Sequence, residues 1–542
     1  MASTDPAISV APQHRSASDE VEKNEKNVLS HVVSPSILSE QQPRARRGWL
    51  SGVQRKLGLG GGSSSQVSSE VYQPRPPPSE SHTWTSRIWK FFKFLGPGAV
   101  VSVAYIDPDN YQTAISAGAS FQYKLLFMVL VSNLVAIYFQ SLSVKLGTVT
   151  GMDLAQMNHR YMPRWLELSI YAIAEASIIC TDLGQVIGTA IALNILIPQL
   201  PLPAACVLSV VETLLILLFY SPTGQLRRIR LFEIFVALLV IAVFCTVCVA
   251  LSMVTQSPRD VLLGYVPSRE IFVDTGLYES CAILGGTLMP HALYVGTALS
   301  RARLHEYDHK HNISPNASPS ASTDTLGYRP SLRAIKSCLG YSIAELVFTL
   351  FTVAVFVNSA LVVISGSAFY NPEDDNSVSG DLYDLYNLFS DTISPASGVI
   401  FAVSLLFSGV SAGIVSTMAG QIVMEGALKI KVSPFLRRLI TRCVAIIPAL
   451  IIAVSVGQEG LSQALVACNY ILAIALIFII SPLVYFTSFS KYMSVPSDDG
   501  TGMVSMRNNL PTSIVAWILW LLVTVMDIAT IVLVAMGIAG DD

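Results

Sequence analysis

Asp107-Pro108-Asp109-Asn110 sets two carboxylates and an amide within four residues, in the middle of the apolar run 95–119. Ionisable side chains inside a membrane are costly and mark functional sites. Pro108 removes a backbone donor and turns the residue before it away from helix. Free backbone at membrane depth is tolerated only where it lines a cavity, so this stretch is expected to be unwound and to face one. The run 277–300 repeats the logic in Leu284-Gly285-Gly286-Thr287-Leu288-Met289-Pro290-His291. Interrupted helices at corresponding places in two halves point to the substrate site of an inverted-repeat transporter. Carboxylate and carbonyl oxygens alone would suit Mg²⁺ or Ca²⁺, whereas a thioether favours softer ions such as Mn²⁺, Fe²⁺ or Zn²⁺. Taken alone Met289 would be core packing; beside a helix break that faces a carboxylate it is a candidate ligand.

The elements that must position these groups are membrane spans. Of the 542 residues 52% are hydrophobic and 13% charged, against roughly 25% charged in an ordinary soluble domain. Eleven apolar runs cover 95–119, 123–146, 166–195, 203–220, 230–254, 277–300, 337–365, 397–421, 438–456, 461–488 and 511–537. The expected fold is therefore all-α and integral to the membrane, with a transporter domain over 90–537. Its first repeat is 95–254, its second 277–488, and 511–537 is a final helix. Residues 1–85 are rich in Ser, Pro, Gly and charge, and read as a disordered tail with no cleavable signal.

Lys and Arg alternate between connections. Arg160 and Arg164, then Arg227, Arg228 and Arg230, then the 301–336 loop, then Lys429 to Arg438, then Lys491 and Arg507 fall on one side. The 366–396 loop has neither residue type and carries Glu373, Asp374, Asp375, Asp381, Asp384 and Asp391. The basic side is expected to be cytoplasmic. The N-terminal tail then lies in the cytoplasm and the C-terminus on the opposite side. The sequons at Asn312 and Asn316 are in the cytoplasmic 301–336 loop and should not be glycosylated. All eight cysteines lie in or beside apolar segments, so no disulfide framework is visible. Cys245 and Cys248, spaced like a redox pair, sit in a uniformly apolar stretch and read as buried thiols. A net charge of −3 without a basic block gives no nucleic-acid footprint. Nothing resembles a nucleotide loop or a nucleophile–base constellation, so no enzyme is expected.

Several ordered stretches together resemble the Nramp family over about 90–537. They are Gly96-Pro97-Gly98, the Asp107–Asn110 break, Leu146–Gly151, Thr181-Asp182-Leu183, Ile187–Asn194, Met289-Pro290-His291 and Gly420–Gly426. The resemblance implies a LeuT-like 5+5 inverted repeat with helices 1 and 6 broken, and import of divalent metal coupled to protons. By position it implies Asp107, Asn110, Met289 and the carbonyls of Ala104 and Gly286 as metal ligands. Asp182 and His291 match groups implicated in proton movement, and Glu175, two turns before Asp182, is a candidate for the same relay. Glu175 and Asp182 are equally open to ion pairing with Arg437, Arg438 or Arg442 near the ninth span. The substrates implied are divalent metal ions and protons, with membrane lipid as surroundings and no cofactor; the oligomeric state is left open.

The chain also departs from the family. Asp109 replaces the usual glycine, Gly286 an alanine, Gln185 a glutamate, and Asn469 and Ala475 glutamines of the tenth span, while Val410 replaces a polar residue of the eighth. Asp109, Gln185 and Asn469 are the candidate modifiers of selectivity. A transporter of altered ion choice or coupling, or a metal sensor on the same scaffold, are the rival readings. The membrane expected is the plasma membrane or that of endosomes or vacuoles.

Overall fold

The computed structural model describes residues 97–219, 226–272, 274–311, 328–370, 381–392, 394–429, 432–497 and 502–536. The expected tail 1–85 and the two sequons lie outside them. Among the described residues eight helical segments are long and apolar enough to cross a membrane, and the other three apolar runs are helical as well. Helix is what lipid demands, because it satisfies every backbone polar group within the segment.

The first run is two helices, α1 (Pro97–Val103) and α2 (Pro108–Phe121), separated at Ala104–Asp107. Then come α3 (Leu126–Thr150), a short α4 (Leu154–Tyr161), α5 (Arg164–Leu196), α6 (Leu202–Phe219) and α7 (Leu226–Met253). After the short α8 (Pro258–Gly264) and a 3₁₀ turn at Arg269–Phe272, the sixth run is again split, into α9 (Asp274–Thr287) and α10 (Pro290–Lys310). The seventh is α11 (Leu332–Thr349), a π-helical turn at Leu350–Ala354 and α12 (Val355–Ala368). The remainder is α13 (Leu382–Thr392), α14 (Pro395–Leu428), α15 (Pro434–Ser455), α16 (Gln458–Ser488), a hairpin of β1 (Ser494–Pro496) and β2 (Met503–Ser505), and α17 (Leu510–Ala535). The hairpin is antiparallel, with Val495 opposite Val504.

Two expected loops carry more helix than their polarity suggested. The connection read as 301–336 is shortened at both ends, because α10 continues to Lys310 and α11 starts at Leu332. Past the membrane α10 is held by Asp308, which accepts from the Tyr328 hydroxyl at 2.8 Å and from the Ser331 amide at 3.2 Å. The acidic 366–396 segment contains α13. Polarity says where a helix leaves lipid, and not where it ends.

The packing repeats under exchange of the two halves. α2 packs on α12 as α10 packs on α3; α1 packs on α7 as α9 packs on α16; α5 lies against α14. These are the pairings expected when helices 1–5 recur as 6–10. Small residues close the two equivalent contacts, as is usual between membrane helices. A Cβ at Gly118 would sit 2.6 Å from the Val362 carbonyl of α12, and one at Gly147 only 1.9 Å from the Thr297 carbonyl of α10. Outward faces are apolar: on α17, Ile518, Leu521, Val525 and Ile528 are exposed at helical spacing, the face a lipid tail would cover.

Gly147→Ala should therefore destabilise the protein by about 1–3 kcal/mol through overpacking. Gly340→Ala on α11, where a Cβ meets nothing within 4 Å, should be neutral or slightly stabilising. Thermal denaturation in detergent, followed by size-exclusion fluorescence, compares the two.

Candidate functional site

Both breaks have one cause. An α-helical carbonyl accepts from the N–H four residues on, and proline has none to give. Pro108 leaves the Ala104 carbonyl without that donor, and Pro290 does the same to Gly286. The Asp107 backbone is extended, and its Oδ1 accepts the Asn110 amide at 2.9 Å, capping α2. Its Oδ2 is buried with no hydrogen-bond partner among the described residues. Across the gap Asn110 Nδ2 donates to the Gly286 carbonyl at 3.0 Å, joining the two breaks. Met289, also with extended backbone, stands immediately before α10 and is 1% exposed. Neighbouring helices complete the lining. Ser408 Oγ of α14 donates to the Ile106 carbonyl at 2.7 Å, Asn358 Nδ2 of α12 to the Tyr105 carbonyl at 3.4 Å, and the Tyr111 hydroxyl meets Ser404 Oγ at 3.1 Å.

Two of the residues that depart from the family pattern, Asp109 and Asn469, lie together on one flank. Both oxygens of Asp109 are buried without a hydrogen-bond partner among the described residues. The carboxylate lies against the backbone of α5 at Gly184, where a Cβ would be 1.9 Å from Oδ1. Asn469 Nδ2 on α16 donates to Thr113 Oγ1 at 2.6 Å and to the Asp109 carbonyl at 3.3 Å. This anchors the amide with Oδ1 directed at Gly286, 3.0 Å from where a Cβ there would be, and without a partner among the described residues. Asn469 thus joins the same lining as Asn110 and Gly286.

Glu175 and Asp182, two of the three residues expected to serve proton movement, form a second row between α5 and α15. Arg437 Nη2 binds both Glu175 oxygens, at 2.7 and 2.8 Å. Arg438 Nη1 pairs with Asp182, and Ser416 Oγ donates to the same carboxylate at 2.8 Å. Arg442 Nη1 donates to the Asp182 carbonyl at 3.3 Å. The ion-paired arrangement allowed by the sequence is the one found, with each arginine assigned. Gln185 Oε1 accepts from Arg438 Nη2 at 3.1 Å, so the amide occupies a place beside a guanidinium. His291 is apart from this row, buried at the start of α10, with Nδ1 3.4 Å from Thr181 Oγ1. Sequence reasoning passed over Ser404, Ser408 and Ser416, which lie on one face of α14 at intervals of four and eight, and Gly184. A serine in an apolar helix ordinarily bonds its own preceding turn, so only tertiary structure reveals these contacts.

Among the described residues no three His, Cys, Asp or Glu side chains converge to hold a metal ion. What the breaks bring together is the Asp107 carboxylate, the Asn110 and Asn469 amides and the Gly286 carbonyl.

A split-helix pair at the centre of two inverted five-helix repeats defines a membrane transporter of the LeuT-like fold, and not an enzyme. More narrowly, the chain belongs to the Nramp family: the family model described as natural resistance-associated macrophage protein-like matches residues 98–533. A manganese transporter of Saccharomyces cerevisiae is 42% identical over 500 residues, covering 83% of this chain and 86% of that protein. An iron transporter of the same yeast is 44% identical over 415 residues, covering 76% and 85%. The crystal structure of a point variant of the Eremococcus coleocola manganese transporter aligns with a TM-score of 0.68 at 26% identity, covering 84% of this chain and 88% of that one.

The contact between Asp109 and Gly184 makes a coupled prediction. Gly184→Ala should destabilise the protein, since its methyl overlaps the carboxylate, whereas Asp109→Gly combined with Gly184→Ala should recover most of the loss. Thermal denaturation of the two single variants and the double variant should give non-additivity of about 1 kcal/mol or more.

Proposed function

We propose that this chain imports divalent transition-metal ions, manganese or iron, together with protons. The reading is supported by the manganese and iron transporters of yeast that the chain resembles and carried by one observation: Asp107 Oδ2, without a partner among the described residues, beside two breaks joined by Asn110. In this reading the ion is substrate, held by Asp107, Asn110, Met289 and the carbonyls of Ala104 and Gly286. Asn110 Nδ2 occupies the Gly286 carbonyl before the ion arrives. Binding requires the amide to turn, presenting Oδ1 to the cation while the cation takes over that carbonyl. The Asp107 carboxylate supplies the main opposing charge, and the Met289 thioether discriminates against hard ions. Asp182, His291 and Glu175 serve proton movement. The N-terminus is cytoplasmic, the C-terminus lies opposite, and the host membrane is the plasma membrane or that of an endosome or vacuole.

A second reading, altered ion choice or coupling, is favoured by Asp109 and Gln185. Asp109 adds a hard carboxylate two residues from Asp107, and Gln185 gives Arg438 an amide that cannot release a proton.

In proteoliposomes Asp107→Ala should abolish Mn²⁺ uptake while inserting normally; wild-type uptake by this variant would remove the proposal. Met289→Ala in the same assay should weaken Mn²⁺ and Cd²⁺ uptake and raise competition by Ca²⁺ or Mg²⁺. An unchanged competition profile would make Met289 a packing residue.

Coupling is tested at Gln185. On the second reading, in which Gln185 interrupts the relay, metal uptake should depend only weakly on an imposed pH gradient in the parent and more steeply in Gln185→Glu, with internal acidification recorded alongside flux. A parent that already acidifies vesicles in step with metal entry would show that a carboxylate at 185 is not needed.

A further inference from the structure

On one side of the breaks, α2 and α9 close against each other, and their side chains meet through Ser116 and Glu279. Ser116 Oγ donates to Glu279 Oε1 at 2.8 Å. Glu279 is 8% exposed, and its Oε2 is buried with no hydrogen-bond partner among the described residues. Ser116 is six positions beyond Asn110 and Glu279 seven before Gly286. At 1.5 Å per residue each lies roughly 9–10 Å along its helix from the cation site. The two residues therefore face each other at one level, on the side of the acidic connections.

A latch between two helices needs only an acceptor for the serine hydroxyl, and a neutral amide would supply it. A carboxylate at this depth costs far more to bury, and half of it is unused in the closed arrangement. Its surroundings hold it on α9. The Tyr278 ring stacks on Tyr470 of α16 at 4.0 Å, and the Tyr470 hydroxyl donates to the Tyr278 carbonyl at 3.3 Å. When α2 parts from α9, the Ser116 bond breaks and the carboxylate remains on the α9–α16 wall, facing the opened space. Further out, Lys124 of the α2–α3 turn pairs with Glu270 at 2.9 Å in a partly exposed contact, so the same separation is tied at a second level.

We propose that Glu279 is a cation-relay site on the outer approach to Asp107 and Asn110. It receives a hydrated divalent cation when α2 and α9 are apart and exchanges it for the Ser116 hydroxyl as they close behind the ion. The proposal rests on the transport reading above and on the cytoplasmic placement of the basic connections.

The experiment is initial-rate Mn²⁺ uptake by the full chain in proteoliposomes, as a function of external Mn²⁺. Glu279→Gln keeps shape and hydrogen-bond acceptor but removes the charge, and should raise KM about fivefold with a maximal rate within about twofold of the parent. Glu279→Asp keeps the charge while withdrawing from Ser116, and should leave KM near the parent value. A parental KM in Glu279→Gln overturns the relay. Equal damage from the Gln and Asp variants overturns it as well, because a packing or latch role depends on shape and not on charge. Failure of the transport reading itself is distinguishable: the parent would then show no uptake, or Asp107→Ala would retain it.

Discussion

Two backbone carbonyls without amide donors, inside a bilayer, are the constraint on which this structure is built. An unsatisfied peptide group in lipid costs several kcal/mol, so a proline in a spanning helix must be answered by its neighbours. Here Pro108 and Pro290 strand Ala104 and Gly286, and the answers come from three directions. Asp107 caps the restarted helix, Asn110 reaches across to Gly286, and Ser408 and Asn358 take the adjacent carbonyls of Ile106 and Tyr105. Two of the groups that repair the backbone, Asp107 and Asn110, are also proposed ligands of the cation.

α14 ties this centre to the arginine row. Ser404, Ser408 and Ser416 share one helical face, touching Tyr111, the Ile106 carbonyl and Asp182 in turn. A shift of α14 relative to the break would therefore be felt at the Asp182–Arg438 pair, and the reverse holds too. Glycines at Gly118 and Gly147 allow the close backbone approach of α2 to α12 and of α3 to α10.

Much of the architecture was legible because lipid enforces simple rules. Eleven apolar runs became helical segments, and Pro108 and Pro290 announced the breaks, since proline acts through its own backbone and needs no knowledge of the fold. Pairing was harder to read. Arg437, Arg438 and Arg442 were all plausible partners for Glu175 and Asp182, but adjacent helical residues point about 100° apart, and which direction meets α5 depends on how α15 is rotated. The fit of Asp109 against Gly184 was invisible for a similar reason. It joins residues 75 positions apart on different helices, and a glycine advertises only what it lacks. The over-long 301–336 loop reflects another limit: outside lipid, composition no longer says whether a polar stretch is helical.

The α5–α15 row also has a sum. Glu175 and Asp182 set two formal negative charges against three guanidiniums, Arg437, Arg438 and Arg442, all of them buried, and Gln185 adds no compensating charge. Counted by itself, this wall of side chains is thus electropositive by one unit. A dication leaving Asp107 toward that wall would meet a repulsive potential, while a single proton, hopping between hydrogen-bonded groups, carries half the charge and needs no open channel. In the transport function proposed above, the row would act as a charge filter, confining metal to the gap between the broken helices while leaving a lateral path passable to protons.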